Sequence, residues 1–174
     1  MRLFIAVEMP EELNEKIREI KSKIQTKGLR LTRDNHITLK FLGEVPEHKV
    51  EDIAIRLKEI VFSPIQIKTL HIDAFPNLNK PRIIHLKCDS PQLIELAKNI
   101  SNKLKEYPDD KPFVPHITLA RIKFLKDRLE LKEKIRDITI VQEEFIIKSF
   151  CLKQSILKPE GPEYKNIEVF EAND

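Results

Sequence analysis

His36-Ile37-Thr38-Leu39 recurs without change as His116-Ile117-Thr118-Leu119, 80 residues further along the chain. The same ungapped register aligns identical residues on both sides of the motif, among them Arg2 with Arg82, Leu13 with Leu93, Ile20 with Ile100, Ile55-Arg56 with Ile135-Arg136 and Ile67-Lys68 with Ile147-Lys148. Self-similarity at a fixed spacing indicates a duplicated unit. The sequence therefore predicts one two-lobed domain over 1–174, with copies at about 1–80 and 81–160 and a closing strand near 164–170.

Both copies contain the same order of predicted elements: strand, helix, strand, helix and strand. In the first copy, the spacing of apolar residues predicts a strand at 2–8, a helix at 11–25, the motif strand, a helix near 47–61 and a strand at 65–75. The second copy repeats this order with a strand at 82–88, a helix that begins at Ser90-Pro91, the second motif strand, a helix near 127–138 and a strand at 145–157. Serine at the cap and proline in the first turn are typical of a helix start.

This order of elements predicts an α+β fold. Each of two pseudo-symmetric lobes consists of a mostly antiparallel sheet with helices covering one of its faces. Two such sheets that face each other leave a cleft between their uncovered faces, and interfaces of this kind are common places for binding sites.

The alternation of side chains along a strand decides what the motif presents to this cleft. Residues i and i+2 point to the same side, so His36 and Thr38 share one face, and Ile37, Leu39 and Phe41 share the other. The apolar set is expected to pack under the helices. We therefore expect His36 and Thr38 to face the cleft, with His116 and Thr118 facing it beside Ala120 in the second copy.

Two facing imidazoles suit acid–base catalysis. Their ordinary pKa of about 6.5 lets one be neutral while the other is protonated near neutral pH. The neutral one can take a proton from water and the protonated one can give a proton to a leaving oxygen. The threonine hydroxyls are compact donors that can stabilise charge on phosphate oxygens.

Other sites are less well supported by the sequence. A metal site is a rival interpretation, but neither motif has an adjacent carboxylate or thiolate to complete a set of ligands, so we expect no metal and no cofactor. His48, His71 and His85 have no counterpart one repeat away, which favours a role without chemistry for each. Motifs for nucleotide, dinucleotide, serine-hydrolase and zinc-hydrolase sites are absent.

Charge, cysteine content and the start of the chain limit the kinds of partner and location that the sequence predicts. The 31 basic and 28 acidic residues give a net charge of +3, too even to predict nucleic-acid binding from overall charge, so any basic site is local. Cys88 and Cys151 lie in apolar alternating segments and are expected to be buried thiols. The start of the chain fits neither a signal peptide nor a membrane span, so we expect a cytoplasmic, monomeric protein without a membrane partner.

The stretches His36-Ile-Thr-Leu-Lys-Phe-Leu-Gly-Glu44 and Pro115-His-Ile-Thr-Leu-Ala-Arg121 resemble the two-histidine phosphoesterase superfamily. Within it they are most similar to the RNA 2′,3′-cyclic phosphodiesterases, first named 2′-5′ RNA ligases. The start Leu3-Phe-Ile-Ala-Val-Glu8 and the motif spacing are similar as well, so the resemblance covers nearly the whole chain. It implies a bilobal pseudo-two-fold fold without metal or organic cofactor, acting on RNA with 2′,3′-cyclic phosphate ends or on cyclic nucleotides.

The resemblance also implies roles for the motif residues. His36 is then the proton donor to the departing 3′ oxygen and His116 the acceptor that activates water, although pseudo-symmetry leaves the two interchangeable. Thr38 and Thr118 hold the phosphate. Arg121, at the repeat position of Phe41, is associated with the phosphate site in that family.

Further substrate contacts are expected around the motif strands. Strict alternation places Arg121 on the core side, so it reaches the substrate only if the strand ends or bulges there. Phe41 is a further candidate contact at the same repeat position. Lys40, Arg33 and Arg30 can attract an RNA backbone or can be ordinary surface charges.

Four functions remain open from the sequence. The first is hydrolysis of a 2′,3′-cyclic phosphate to a 2′-phosphate, and the second is the reverse reaction, which joins RNA ends. The third is a module that binds RNA termini without reaction. The fourth is hydrolysis of another cyclic phosphate, such as ADP-ribose 1″,2″-cyclic phosphate.

Overall fold

The computed structural model describes residues 1–140 and 142–174 and has the predicted α+β fold. In chain order its elements are β1 Arg2–Glu8, α1 Glu11–Ile24, β2 Leu29–Leu31, β3 His36–Glu44, α2 Val50–Lys58, β4 Ile65–Phe75, β5 Ile83–Asp89, α3 Pro91–Lys103, β6 His116–Ile122, α4 Arg128–Asp137, β7 Glu144–Ile147, β8 Ser149–Ile156 and β9 Glu163–Glu171. None of the helices in this part of the chain is long and apolar enough to cross a membrane.

The helices form where the sequence supplies an apolar face and a cap. Helix α1 buries Leu13, Ile17 and Ile24 along one face. Helix α3 begins as its sequence predicts, because the Ser90 hydroxyl accepts a hydrogen bond from the backbone N–H of Leu93 at 3.2 Å.

Two antiparallel sheets make up the body of the molecule. The first sheet has four strands in the order β3-β1-β8-β9, and the second has five in the order β2-β6-β5-β4-β7. Their helix-side faces share one hydrophobic core, to which every helix contributes; its fully buried members include Ile5, Ile17, Ile37, Ile53, Ile84, Leu93, Leu119 and Phe150.

The two copies of the repeat exchange a strand. Strand β8, from the second copy, completes the first sheet beside β1, and β4, from the first copy, completes the second sheet beside β5. The core of each sheet is therefore a motif strand, the opening strand of the same copy and the long strand of the other copy. This exchange makes the two sheets pseudo-symmetric and ties both copies into one structure.

The strand predicted at 145–157 is wrong as a single element. It breaks at Lys148 into β7, which pairs with β4 in the second sheet, and β8, which pairs with β1 in the first. The predicted helix near 47–61 is shorter, because a 3-10 turn at Glu47–Lys49 precedes α2 and the helix ends at Lys58. Strand β2, which pairs with β6, has no counterpart in the sequence prediction.

Candidate active site

The two motif strands bring His36 and His116 into one cleft. Both histidines are the first residues of their strands, β3 and β6, and these strands contact each other across the two sheets. Both imidazoles are half-buried. A positive charge on His116 lowers the pKa of His36, so the two rings lie within electrostatic range of each other.

The first motif strand contains a β-bulge. Two consecutive residues of β1 pair with Lys40 and Thr38 and leave Leu39 without a partner. A bulged residue shifts the alternation of the residues beyond it by one position. Phe41 therefore shares the face of His36, with 64% of its surface exposed, and its predicted place on the core side is wrong.

The second motif strand is bulged at the same repeat position. Two consecutive residues of β5 pair with Ala120 and Thr118 and skip Leu119. Arg121 is consequently exposed, and its positive charge lowers the pKa of His116. Strict alternation predicted Arg121 in the core and Ala120 in the cleft. Both predictions are wrong, because Arg121 is exposed and Ala120 is fully buried.

Lys40 is turned away from the cleft by the same bulge. Only 2% of its surface is exposed, and its ammonium group makes an ion pair with the Asp109 carboxylate at 2.6 Å and lies 3.4 Å from the Ser101 hydroxyl. The amine therefore anchors the loop that follows α3, and this placement does not support the predicted contact between Lys40 and a substrate.

Arg33 is exposed and lies in the segment between β2 and β3. Its guanidinium donates to the carbonyl oxygen of Glu160, 3.4 Å away in the loop between β8 and β9. Its contact with an RNA backbone stays a prediction.

His36 is packed between aromatic rings. The ring centroids of Phe4 and Tyr164 lie 5.3 and 5.2 Å from that of His36, and Glu8 is its neighbour across the strand pair β1–β3. The pKa of His36 is lowered to about 4, mainly by burial and also by the charge of Lys153, and the charge of Glu8 opposes this shift. His36 is therefore neutral at pH 7 when the cleft is empty.

His116 has a different set of neighbours. Its Nδ1 atom lies 2.7 Å from the carbonyl oxygen of Val114, which can only accept a hydrogen bond. Nδ1 must therefore carry the proton of the neutral ring, and the lone pair is on Nε2. Burial lowers the pKa of His116, and the hydrogen bond to Val114 opposes this shift. The side chain is thus prepared to accept a proton on Nε2.

His85, for which the sequence predicted no chemical role, lies beside His116. Its ring centroid is 5.1 Å from that of His116 and 4.1 Å from that of Phe75, on which it is stacked. It is 2% exposed, and neither ring nitrogen is hydrogen-bonded within the described residues. Burial lowers the pKa of His85 to about 4, as does the charge of His116, so His85 is a neutral wall of the site.

The threonines of the motif lie between the imidazoles and the bulges. Thr38 pairs with Ala6 across β1, and Thr118 pairs with His85 across β5, so each hydroxyl shares the face of its histidine. Both are half-buried. This placement puts both threonine side chains on the same faces as the two imidazoles.

A buried lysine ties the two motif strands together. Lys21 of α1 donates to the carbonyl oxygen of Thr32 at 2.8 Å and to the side-chain oxygen of Asn35 at 2.5 Å, just before His36. The Thr32 hydroxyl in turn donates to the carbonyl oxygen of Thr118 at 2.8 Å. Burial lowers the pKa of Lys21 to about 8. The network fixes the approach of β3 to β6.

Several cleft residues were missed by the sequence prediction. Phe4 lies in an apolar run that offers no distinguishing pattern, and Tyr164 lies on β9, which has no counterpart in the repeat. Lys153 was missed because the sequence predicted one strand over 145–157, so the pairing of β8 with the first sheet was not predicted. In the described residues, no group of three or more His, Cys, Asp or Glu side chains is arranged to hold a metal ion.

This chain is similar to known proteins over nearly its whole length. The family model described as the 2′-5′ RNA ligase superfamily matches residues 9–153. A protein of Methanocaldococcus jannaschii named RNA 2′,3′-cyclic phosphodiesterase is 38% identical over 96% of this chain and 98% of its own, and one of Archaeoglobus fulgidus with the same name is 36% identical over 98% and 100%.

Solved structures show the same fold. A crystal structure of a Thermus thermophilus protein superposes with a TM-score of 0.85 at 30% identity, covering 98% of this chain and 97% of the other. E. coli LigT in complex with 3′-AMP has a TM-score of 0.80 at 23% identity, over 99% and 98% of the two chains.

Proposed function

Because this chain belongs to the 2′-5′ RNA ligase superfamily, we propose that it is a phosphodiesterase that hydrolyses 2′,3′-cyclic phosphate ends of RNA to 2′-phosphates. The observation that carries the proposal is the pair of imidazoles, His36 and His116, on the cleft ends of two facing strands, each with a threonine two residues along. The relatives with the highest identities reported above bear the name of this activity.

His116 is the proton acceptor. It is neutral near pH 7, and its hydrogen bond to Val114 leaves the lone pair on Nε2, as a general base requires. Nε2 takes a proton from water while the water oxygen forms a bond to phosphorus.

His36 is the proton donor. In the empty cleft it is neutral, but the negative charge of a bound phosphate favours its protonated form, because opposite charges at close range raise the pKa of an imidazole. The bond between phosphorus and the 3′ oxygen breaks, and the 3′ oxygen takes the proton of His36. The product is a 2′-phosphate beside a free 3′ hydroxyl, and proton exchange with solvent restores both rings.

The remaining cleft residues hold the substrate. Thr38 and Thr118 donate to the non-bridging phosphate oxygens, and Arg121 supplies the fixed positive charge that stabilises the additional negative charge of the transition state. Phe41 and Tyr164, which both pack on the buried ring of Phe4, form an aromatic surface near His36 on which a nucleobase can stack.

We propose that no metal takes part. The two imidazoles, the two hydroxyls and the guanidinium together supply a base, an acid and charge stabilisation, which are the tasks that a metal performs in other phosphodiesterases. The reverse reaction, which joins RNA ends, uses the same groups, and water at its ordinary concentration favours opening.

The experiment is hydrolysis of a short RNA that ends in a 2′,3′-cyclic phosphate, with EDTA present, followed by identification of the product. We expect a 2′-phosphate end and no increase in rate when metal is restored. Incubation of the same RNA with an RNA carrying a 5′ hydroxyl measures joining. An inert wild-type protein that still binds the RNA contradicts the proposal and favours a binding module, and turnover of other cyclic phosphates alone favours a different substrate.

A further inference from the structure

An ion pair between a buried lysine and a half-exposed carboxylate lies next to His36 on the cleft face of the first sheet. Lys153 of β8 makes an ion pair with the Glu8 carboxylate of β1, and its amine also donates to the side-chain oxygen of Asn166 on β9 at 2.6 Å. The Asn166 amide donates to Glu8 at 3.2 Å, which closes a ring of three side chains. Only 7% of the Lys153 side chain is exposed.

Stability alone is a poor explanation for this arrangement. The cost of removing a lysine from water offsets much of the attraction to its partner, so buried ion pairs contribute little net stability compared with apolar side chains. A charged pair kept at such a place needs another explanation.

The geometry around His36 supplies one. Glu8 is directly opposite His36 in the register of β1 and β3, and such pairs have Cβ atoms roughly 5 Å apart. Lys153 and Asn166 both use Oε1 of Glu8, so in the described residues Oε2 has no hydrogen-bond partner. Nδ1 of His36 is buried and also lacks a partner there.

We propose that Glu8 is a positioning residue for His36: its free Oε2 accepts the Nδ1–H of the imidazolium, while Lys153 and Asn166 hold its other oxygen in place. The proposal rests on the proposed function, in which His36 must carry a proton before it can donate one. A carboxylate on Nδ1 directs the other ring proton, on Nε2, towards the substrate.

Lys153 has the opposite effect to Glu8, because its positive charge disfavours protonation of His36. Charged and titratable groups surround His36 from every side: Glu8 on β1, Lys153 on β8, Lys21 on α1, His116 on β6 and Tyr164 on β9. Of these, Lys153 disfavours the imidazolium most, and Glu8 favours it. Burial and the charge of Lys153 together keep His36 neutral in the empty cleft, so that protonation coincides with the arrival of a phosphate.

The test is an NMR titration of the His36 ring in wild type and in the variants Glu8→Gln and Lys153→Met. The signal of this ring is assigned by its absence from the spectrum of His36→Ala. We expect Glu8→Gln to lower the pKa of His36 and Lys153→Met to raise it, each by about one unit, as expected for a charge at close range. Lys153→Arg keeps the charge and is expected to leave the pKa near its wild-type value. Shifts in the same direction, or no shifts, overturn the proposal.

Kinetics provide the second readout. On the cyclic-phosphate RNA, Glu8→Gln is expected to lower kcat about tenfold or more with KM changed less than about threefold, because the proton donor and not the binding surface is affected. Lys153→Met is expected to move the alkaline limb of the pH profile of kcat, where His36 loses the proton that it donates, upward by about one unit. A merely structural role predicts neither change.

Lys58→Met is the matched control. It removes a lysine from an ion pair with Glu168, between α2 and β9, without a neighbour in the cleft. We expect it to leave the His36 titration and kcat unchanged. The titration uses no substrate, so it tests the role of Glu8 separately from the proposed function. If the two variants shift the pKa of His36 in opposite directions but the wild-type protein does not hydrolyse the RNA, the proposed function is contradicted and the role of Glu8 is not.

Discussion

His36 and His116 are the same side chain in two different surroundings. In the sequence the duplication makes them interchangeable, but only His116 has a carbonyl oxygen, that of Val114, on its Nδ1 atom. His36 instead lies between Phe4 and Tyr164 with a carboxylate opposite. These local contacts, and not the motif, support an acceptor in the second copy and a donor in the first.

Lys40 offers a test at the scale of a single residue. Lys40→Met is expected to leave kcat/KM on the cyclic-phosphate RNA within about threefold of wild type, because the amine contacts Asp109 and not the cleft. Arg121→Met removes the same charge from the cleft face and is expected to lower kcat/KM by about tenfold or more through lost charge stabilisation. Steady-state assays compare the two, and an equal loss in both variants contradicts the assigned orientation of the strand.

Residue identity in the site was predictable from the sequence only in part. The repeat singled out His36, Thr38 and their counterparts, because identity on the polar side of a strand is not required by packing. The orientation of Phe41 and Arg121 was not predictable, since a bulge arises from pairing with a neighbouring strand and leaves no local pattern. His85 was overlooked because its counterpart in the first sheet, opposite Thr38, is Ala6.

At the scale of elements, the bulged strand is the unit that builds the site. Each motif strand presents a histidine and a threonine to the cleft. The bulge then adds a third side chain, Phe41 in β3 and Arg121 in β6, which strict alternation assigns to the core. The sequence predicted these strands and the four helices because their apolar spacing is regular. It could not predict the break at Lys148, where both flanking segments keep strand spacing and only the change of sheet separates them.

The start of α3 allows a prediction about one element. Ser90→Ala is expected to lower the free energy of unfolding by roughly 1–3 kcal/mol, because the hydroxyl caps Leu93 and also donates to the carbonyl oxygen of Gln66 at 2.7 Å. Urea denaturation measures this, and the specific activity of the folded protein is expected to stay unchanged. Asp127→Ala removes an exposed cap of α4 and serves as comparison. A loss no larger than that of Asp127→Ala contradicts the role of the second hydrogen bond.

At the scale of the molecule, strand exchange makes the cleft a property of both copies. Neither copy contains a complete sheet, since β4 and β8 each complete the sheet of the other. The two-sheet, α+β architecture was predictable from the order of elements. The exchange was not, because sequence spacing shows which strands exist and not which strands pair.

The buried histidines predict how the whole protein responds to acid. His36 and His85 have pKa values of about 4 in the folded state and near 6.5 when unfolded, so between these values the unfolded chain binds more protons. Stability is therefore fully present above about pH 6.5 and is lost as the pH falls towards 4. Each unit of pKa difference corresponds to roughly 1.4 kcal/mol, so we expect a loss of several kcal/mol over this window.

Urea denaturation at a series of pH values measures this loss. His85→Phe keeps a ring beside Phe75 and removes one titrating group, so its stability is expected to depend less steeply on pH than that of wild type. His71→Phe, at an exposed position, is the control. Equal slopes for wild type and His85→Phe between pH 6.5 and 4 contradict the assignment.

The central claim is that two imidazoles, one in each sheet, act as acid and base on the same cyclic phosphate. The most direct measurement is the single-turnover rate of hydrolysis of a short RNA 2′,3′-cyclic phosphate by His36→Ala and by His116→Ala, with binding of that RNA measured in parallel. The account predicts that each variant loses about a hundredfold or more in rate, as removal of a general acid or base does, and still binds the RNA. A variant of either histidine that retains a rate close to wild type contradicts it.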